Sequence, residues 1–267
     1  MREILKKVQV NMPFTMLVDG YLDVILKEKI NPEVGLDCFA LDRYSRNEFR
    51  DVADLLHGAE LSITLHAPFF DLRPGAIDRK IRDVTIERLR QVFDLVPLFR
   101  PRSVVCHAAF DERYYVSNED VWLENSRDTW SRFVKTATAA GTKIAIENVY
   151  ETSPKFLSLL LGTFKESQSI CFCFDTGHFN AFSQSPLEEW MNVLGSRIGQ
   201  IHLHDNNGVT DEHNPVGEGT FPFLWFFELL KRKNVQPIIT LEPHTEENLW
   251  RTLEGIKRAG LLDYLGE

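Results

Sequence analysis

The chain has 267 residues, of which 43% are hydrophobic and 26% charged, a composition typical of a globular protein with a large core. Its 30 lysines and arginines and 39 aspartates and glutamates leave a formal net charge of -9. This charge disfavours long-range attraction to nucleic acid and to anionic membranes, although it is compatible with a local basic patch.

Short β-type runs alternate with helix-type segments from one end of the chain to the other. The runs are rich in Val, Ile, Leu, Phe or Cys, as expected for parallel strands buried on both faces. The predicted strands are residues 8–11, 34–39, 62–66, 103–107, 143–149, 170–175, 199–205 and 237–242. The predicted helices are residues 17–29, 47–57, 78–99, 118–140, 154–167, 186–196, 221–233 and 246–259, the first being weakly signalled.

Strand–helix units that repeat in one uniform chain predict a closed (β/α)8 TIM barrel, and we expect residues 1–267 to form a single domain. The structural rival is an open doubly wound sheet. Such a sheet usually has fewer strands and a glycine-rich phosphate loop after the first one, and no such loop follows Asn11.

The cysteines and the N-terminus indicate where the protein works. Cys38, Cys106, Cys171 and Cys173 lie in apolar runs without a CxxC pair, which suits a reducing cytosol and favours small-hydrophobe packing over metal binding. The N-terminus lacks the apolar core of a signal peptide, and no apolar run reaches the length of a membrane span. We therefore expect a cytoplasmic protein without a membrane partner.

Six of the eight predicted strands end at or near a side chain that can bind a metal. These side chains are His66, His107, Glu147, Asp175 with His178 three residues later, His202, and Glu242. In a TIM barrel the carboxyl ends of all strands meet at one mouth, where active sites lie. Imidazole and carboxylate are ligands for zinc, manganese and iron. The set therefore predicts a divalent metal site.

Each of these residues alone has a simpler explanation. Asp175 is well placed to cap the helix that begins at Thr176, and His66 can bond a backbone carbonyl. Capping does not explain the same pattern at six strand ends. The polar loop of residues 211–219 adds Asp211 and His213 directly after the strand of His202, which makes a second metal cluster plausible beside the alternative of a solvated loop.

With these motifs the sequence resembles the xylose isomerase-like barrel superfamily, which includes sugar isomerases and epimerases and the endonuclease IV family. The resemblance runs from Val8 to Leu265. The motifs that carry it are Leu-His66-Ala-Pro, Val-Cys-His107, Ile-Glu147-Asn148, Phe-Asp175-Thr-Gly-His178, Ile-His202-Leu-His-Asp205, Asp211-Glu-His213-Asn-Pro-Val-Gly-Glu-Gly and Leu-Glu242-Pro.

The resemblance implies a ligand set but does not choose a reaction. Glu147, Asp175, His202 and Glu242 match the four-ligand site of the isomerases and epimerases. The remaining positions complete the nine-ligand, three-zinc pattern of endonuclease IV, and they are His66, His107, His178, Asp211 and His213. We therefore expect one to three divalent ions, Zn²⁺ or Mn²⁺.

The chain's charge and compactness favour sugar chemistry over an abasic-site endonuclease. We expect an isomerase or epimerase that acts on a sugar, a sugar phosphate or a polyol ketone through an enediolate. In this interpretation Glu147 and Glu242 exchange the carbon-bound proton, and His178 and His204 carry hydroxyl protons. A barrel that binds metal without catalysis is the third alternative. The sequence does not specify the sugar or the oligomeric state.

Two further groups of residues bear on the choice of substrate. Aromatic residues near the predicted mouth suit a closed small-molecule pocket or, equally, the packing of loops over the barrel. They are Phe69, Phe70, Tyr114, Tyr115 and Trp122. A basic group of Arg73, Arg79, Lys80 and Arg82 can meet phosphates, but interleaved aspartates indicate a solvated helix start.

Overall fold

The computed structural model describes residues 1–265 and confirms the predicted architecture. Eight parallel strands form a closed barrel in sequence order, and the last strand pairs with the first. The strands are β1 (Gln9–Pro13), β2 (Asn31–Gly35), β3 (Thr64–His66), β4 (Ser103–His107), β5 (Lys143–Glu147), β6 (Ile170–Asp175), β7 (Ile198–Leu203) and β8 (Ile238–Leu241).

One short helix precedes the first strand, and the other helices follow the strands around the barrel. They are α1 (Arg2–Leu5), α2 (Phe14–Met16), α3 (Leu22–Glu28), α4 (Cys38–Arg43), α5 (Arg46–Gly58), α6 (Arg79–Phe99), α7 (Glu119–Ala140), α8 (Lys155–Gly162), α9 (Thr176–Phe182), α10 (Leu187–Leu194), α11 (Phe223–Arg232) and α12 (Glu246–Ala259). Within residues 1–265, none of them combines the length and apolar character that a membrane crossing needs.

The second strand differs most from its prediction. Residues 34–39 were predicted to be extended, but β2 covers Asn31–Gly35 and Cys38 begins α4. The reason is a helix cap, because the Asp37 carboxylate accepts a hydrogen bond from the Ala40 amide at 2.7 Å. The correction brings Glu33 into the wall of the barrel, where its side chain is fully buried.

Two helical predictions also need correction. The predicted helix 17–29 is interrupted, because Leu17–Tyr21 forms a π-type turn between α2 and α3. The predicted helix 154–167 ends early, at Gly162. The short helices α1, α2, α4 and α9 were not predicted, since segments of three to seven residues carry too little periodicity to be recognised.

Large side chains from the outer helices fill the layer between helices and barrel. Trp122 and Trp130 of α7 and Trp190 of α10 are at most 1% exposed. The strands are themselves buried on both faces, and every residue of β6 is buried. This packing makes the barrel a rigid support for the side chains at its mouth.

Candidate metal centre

The predicted ligands gather at the carboxyl ends of the strands. His66, His107, Glu147 and Asp175 are the last residues of β3, β4, β5 and β6. The other two strands contribute residues close to their ends, namely His202 within β7 and Glu242 directly after β8. The closure of the barrel brings these six side chains to one mouth, as the sequence predicted.

Glu147 lies at the centre of the cluster and is fully buried. Its Oε2 atom is 3.3 Å from His66 Nε2 and 3.1 Å from His107 Nε2. Its Oε1 atom is 3.0 Å from His202 Nδ1 and 3.4 Å from His178 Nδ1. The two oxygens thus face different histidine pairs, an arrangement in which one carboxylate can bridge two cation positions.

His202 joins Glu147 to the other carboxylates. Its Nδ1 atom lies 3.0 Å from Glu147 Oε1, 3.0 Å from Glu242 Oε1 and 3.7 Å from Asp175 Oδ2. These are the residues that match the four-ligand site of the isomerases and epimerases. The structure therefore brings one carboxylate oxygen from each of Glu147, Glu242 and Asp175 close to the Nδ1 atom of His202.

A third group forms around Asp211, in the long loop that follows β7. Its Oδ2 atom is 3.3 Å from His178 Nε2 and 3.2 Å from His213 Nε2. His213 Nδ1 lies 3.8 Å from Glu242 Oε2, so this group adjoins the four-residue group. All nine residues predicted as ligands thus form one continuous cluster.

The β7 loop is held over the mouth by Asp205. Its buried carboxylate accepts hydrogen bonds from the amides of Gly217, Gly219 and Phe221, at 3.1, 2.9 and 3.1 Å. Gly219 is required there, because a Cβ atom would lie 2.1 Å from the Asn206 carbonyl oxygen. A single carboxylate therefore fixes the loop that carries Asp211 and His213.

The helix cap and the histidine–carbonyl hydrogen bonds expected for single residues are also present, and they orient side chains within the cluster. Asp175 caps α9 by accepting from the His178 amide at 2.6 Å. Three histidines bond backbone carbonyls through Nδ1, which leaves Nε2 facing the carboxylates. They are His66 with Ala67, His178 with Asn148, and His213 with Glu242, at 2.9, 3.0 and 3.1 Å.

Without positive charge on its histidines, the cluster would carry a large excess of negative charge. Five carboxylates meet there, namely Glu33, Glu147, Asp175, Asp211 and Glu242. Within residues 1–265, no lysine or arginine forms an ion pair with any of them. Buried carboxylates require a positive partner, so either protonated histidines or a bound cation must supply it.

The pKa shifts show how strongly these groups act on one another. Burial raises the pKa of Glu147, but attraction to His202 and His107 outweighs it and holds that pKa well below the usual range. Burial lowers the pKa of His213, but its hydrogen bond to Asp211 and the charge of Glu242 raise it to about 9. A divalent cation would meet the same field and compete with these protons.

The donor set therefore fits a divalent metal ion. It combines imidazole nitrogens and carboxylate oxygens, and groups of three or more donors lie within 4.8 Å of one another at His66–Glu147–His202, Glu147–Asp175–His178 and Glu33–His202–Glu242. Mixed nitrogen and oxygen donors suit Zn²⁺ and Mn²⁺ better than Ca²⁺ or Mg²⁺, which prefer oxygen.

The residues predicted to contact substrate lie in different places. His204 is inside the cluster, with Nε2 3.0 Å from both oxygens of Asp175 and its ring stacked 3.8 Å from that of His213. Phe69 is 38% exposed and stacks on His107 with ring centres 4.4 Å apart. Tyr114 is 62% exposed, so Phe69 is the better placed of the two to contact a substrate near the metal ligands.

Two of the other aromatic residues do not line the mouth. Tyr115 and Trp122 are fully buried, and their rings pack against Phe110 at 5.8 and 4.5 Å between centres. Loop packing is therefore the correct interpretation for these two. Phe70, by contrast, is 77% exposed beside Phe69.

Three of the four side chains in the basic group after β3 contact other residues of the protein. Arg73 lies 4.1 Å from the ring centre of Tyr114, Arg79 pairs with Asp83 at 3.6 Å, and Arg82 donates to the Ala76 carbonyl at 2.6 Å. This arrangement supports the interpretation as a solvated helix start rather than a phosphate-binding patch.

Sequence reasoning missed two residues of the cluster. Glu33 was overlooked because β2 was predicted to begin after it, although a charged residue in the run Ile-Asn-Pro-Glu-Val-Gly-Leu is a recognisable signal. His244 follows the Glu242-Pro243 pair, and its ring stacks 4.1 Å from that of His213. No strand-end pattern marks His244, because it lies in the loop beyond β8.

Comparison with known proteins gives consistent results. Residues 32–259 match the family described as xylose isomerase-like TIM barrel. An uncharacterized protein of Methanocaldococcus jannaschii is 29% identical over 212 residues, which cover 77% of this chain and 72% of that protein. A Haemophilus influenzae protein named "Putative L-ribulose-5-phosphate 3-epimerase SgbU" is 27% identical over 194 residues, 68% of this chain and 66% of its own.

A solved structure extends the likeness to almost the whole chain. The crystal structure of a D-tagatose 3-epimerase-like protein superimposes with a TM-score of 0.79 at 25% sequence identity. The match covers 97% of this chain and 98% of that one. The shared fold therefore includes the strands and loops that carry the candidate ligands.

Proposed function

This chain belongs to the xylose isomerase-like TIM barrel family, and from that premise we propose that it is a divalent-metal-dependent isomerase or epimerase. Its substrate would be a sugar, a sugar phosphate or a related polyol ketone. The names of the Haemophilus relative and of the tagatose epimerase-like structure support this class of reaction. Because the ligands come from strands β3 to β8 and their loops, we propose that the chain acts as one barrel domain.

The observation that carries the proposal is the position of Glu147 and Glu242. Each lies 3.0 Å from the same nitrogen, His202 Nδ1, so their two oxygens are no more than about 6 Å apart. Two carboxylates at this separation can flank one carbon atom of a bound ketose. One would remove the proton next to the carbonyl and the other would return it, which inverts or moves the centre through an enediolate.

The proposed metal site uses Glu147, Asp175, His202 and Glu242 for a first ion. One or two further ions would use the histidines on Glu147 Oε2, namely His66 and His107, and the group of His178, Asp211 and His213. When bound, a divalent cation supplies Lewis-acid stabilisation for negative charge on neighbouring oxygens. We propose that His204 and His178, both in contact with Asp175, exchange hydroxyl protons with the substrate.

The metal proposal predicts a stability effect that can be measured without any substrate. Zn²⁺ or Mn²⁺ at about 100 times its dissociation constant should raise the free energy of unfolding by about 2.7 kcal/mol, because the ion binds only the folded cluster. Thermal unfolding with added metal and after treatment with a chelator measures this change. Protein that carries no metal by elemental analysis and gains no stability from any divalent ion would contradict the proposal.

A second candidate function is metal-dependent cleavage of abasic DNA. The observation in its favour is that all nine positions of the endonuclease IV pattern converge, including the group around Asp211. The net charge of -9 and the contacts of Arg73 and Arg82 within the protein weigh against it, since DNA binding draws most of its affinity from free lysines and arginines.

One metal-loaded preparation, assayed on a panel of ketoses and on abasic-site DNA, separates the two functions. We expect deuterium from solvent to enter the carbon next to the ketose carbonyl, and this exchange to be lost in Glu242→Gln. Nicking of abasic DNA that decreases in Glu242→Gln, without turnover of any ketose, would establish the endonuclease instead. Metal binding with neither activity would indicate a barrel without catalysis.

A further inference from the structure

Glu33 lies below the metal centre, one layer deeper in the barrel than the predicted ligands. It is fully buried on β2, and its register partners are Asn11 on β1 and Thr64 on β3. Its Oε2 atom accepts hydrogen bonds from Thr64 Oγ1 at 2.8 Å, Gln200 Nε2 at 2.5 Å and Thr240 Oγ1 at 3.2 Å. No lysine or arginine of residues 1–265 pairs with this buried carboxylate, so these hydrogen bonds and its contact with His202 must offset the cost of its burial.

The other oxygen of Glu33 contacts the central histidine. Oε1 lies 3.1 Å from His202 Nε2 and accepts from Asn11 Nδ2 at 3.1 Å. The opposite nitrogen, His202 Nδ1, faces Glu147 and Glu242 at 3.0 Å each. His202 is thus held between a carboxylate below and the metal-binding carboxylates above.

The chemistry of these contacts specifies which nitrogen of His202 would keep its proton when a cation binds at the other. An ionised carboxylate only accepts, so His202 Nε2 must donate to Glu33. By the same rule Nδ1, which lies 3.0 Å from both Glu147 and Glu242, also carries a proton in the metal-free cluster. A bound cation would displace only that proton, which leaves a neutral ring protonated at Nε2. The Gln200 amide nitrogen also lies 3.5 Å from Nε2, but the shorter carboxylate contact is the stronger one.

From this geometry we propose that Glu33 is a positioning residue of the metal centre. It holds His202 in the Nε2-protonated tautomer, so that Nδ1 is free to bind metal. The inference rests on the metal site of the proposed function and adds a residue that supports it from below. Glu33 itself need not touch metal or substrate.

The surroundings of Glu33 make glutamine a sharp probe of this role. Gln200 must donate to position 33, because its own Oε1 accepts from Ser103 Oγ at 2.5 Å. A glutamine at position 33 would therefore keep its oxygen towards Gln200 and turn its amide nitrogen towards His202 Nε2. The imidazole can accept that hydrogen only by moving its own proton to Nδ1, which blocks the ligand atom.

The experiment compares zinc affinity, measured by competition with a chelator, in Glu33→Gln and Thr64→Val. The threonine variant is the matched control, because it removes a hydrogen bond to the same carboxylate without touching the imidazole. We expect the zinc dissociation constant to rise about 10- to 100-fold in Glu33→Gln, as for other residues that orient a ligand, and to rise much less in Thr64→Val. Long-range ¹H–¹⁵N spectra of the zinc-loaded protein should show His202 protonated at Nε2.

The outcomes distinguish this inference from the proposed function. Equal zinc affinity in wild type and Glu33→Gln, or His202 protonated at Nδ1 in the zinc-loaded wild type, would overturn the positioning role and leave the metal site intact. Absence of zinc binding in the wild type would overturn both. If Glu33→Gln does not fold, Glu33→Asp replaces it, since its carboxylate is one methylene further from Nε2 and should also weaken zinc binding; unchanged affinity there would refute the role.

Discussion

Replacement of Glu147 by glutamine is expected to lower turnover by at least roughly 10³-fold, the upper range for loss of one preorganised electrostatic group. Glu147 contacts four histidines through its two oxygens, at 3.0 to 3.4 Å. An amide in its place removes the negative charge and leaves an NH₂ group facing two of those rings. Elemental analysis, thermal unfolding with added zinc and solvent deuterium exchange measure the effect, and bound metal should be lost together with activity.

Glu151 offers a matched control for this substitution. It lies four residues further along the chain, in the loop after β5, is 2% exposed, and accepts a hydrogen bond from the Val149 amide at 2.7 Å. Burial raises the pKa of Glu151 to about 7, so its side chain is already largely neutral at moderately acid pH. Glu151→Gln should therefore keep metal and activity. If Glu147→Gln has normal metal content and normal deuterium exchange, Glu147 does not take part in the proposed site.

Replacement of Gly177 by alanine is the second substitution with a large expected effect. A Cβ atom there would lie 1.9 Å from His204 Cε1 and 2.2 Å from His204 Nδ1, closer than atoms can approach. The ring has little freedom to move, because Asp175 holds it from one side and His213 stacks on it from the other. We expect about 1–3 kcal/mol of destabilisation and a large loss of activity as His204 shifts.

Denaturant unfolding and the ketose assay test this prediction together. Gly162→Ala is the control, since it lies at the end of α8 and a Cβ atom there meets nothing within 4 Å. It should leave activity unchanged and keep or slightly increase stability, because alanine loses less backbone entropy than glycine. Stability and turnover of Gly177→Ala equal to those of Gly162→Ala would mean that the His204 ring is not confined as described.

Periodicity and residue type allowed much of this protein to be predicted. Buried strands alternating with amphipathic helices imply the barrel, and in a barrel the strand ends meet by geometry. Residues such as His66, His107 and Glu147 could therefore be assigned to one mouth before any contact was known, because their position at a strand end already determines where they lie.

Errors arose where local signals compete or where packing decides. The boundary of β2 was misplaced because the Asp37 cap begins a helix inside an apolar run, and Glu33 was missed as a result. Tyr115 and Trp122 could have faced substrate or core on sequence grounds alone. Their burial follows from packing against the ring of Phe110, which lies in an irregular segment whose direction no periodic pattern predicts.

The sequence by itself determined the fold class, the family resemblance and the types of side chain that meet at the mouth. The tertiary structure alone decided which atoms face one another: that Glu147 presents each oxygen to a different histidine pair, and that His202 turns Nδ1 upward and Nε2 down to Glu33. The physical reason is the separation along the chain between the residues that determine each feature. Strand and helix patterns reflect neighbours a few residues apart, whereas the orientation of a buried imidazole depends on hydrogen-bond partners as much as 169 positions away along the chain.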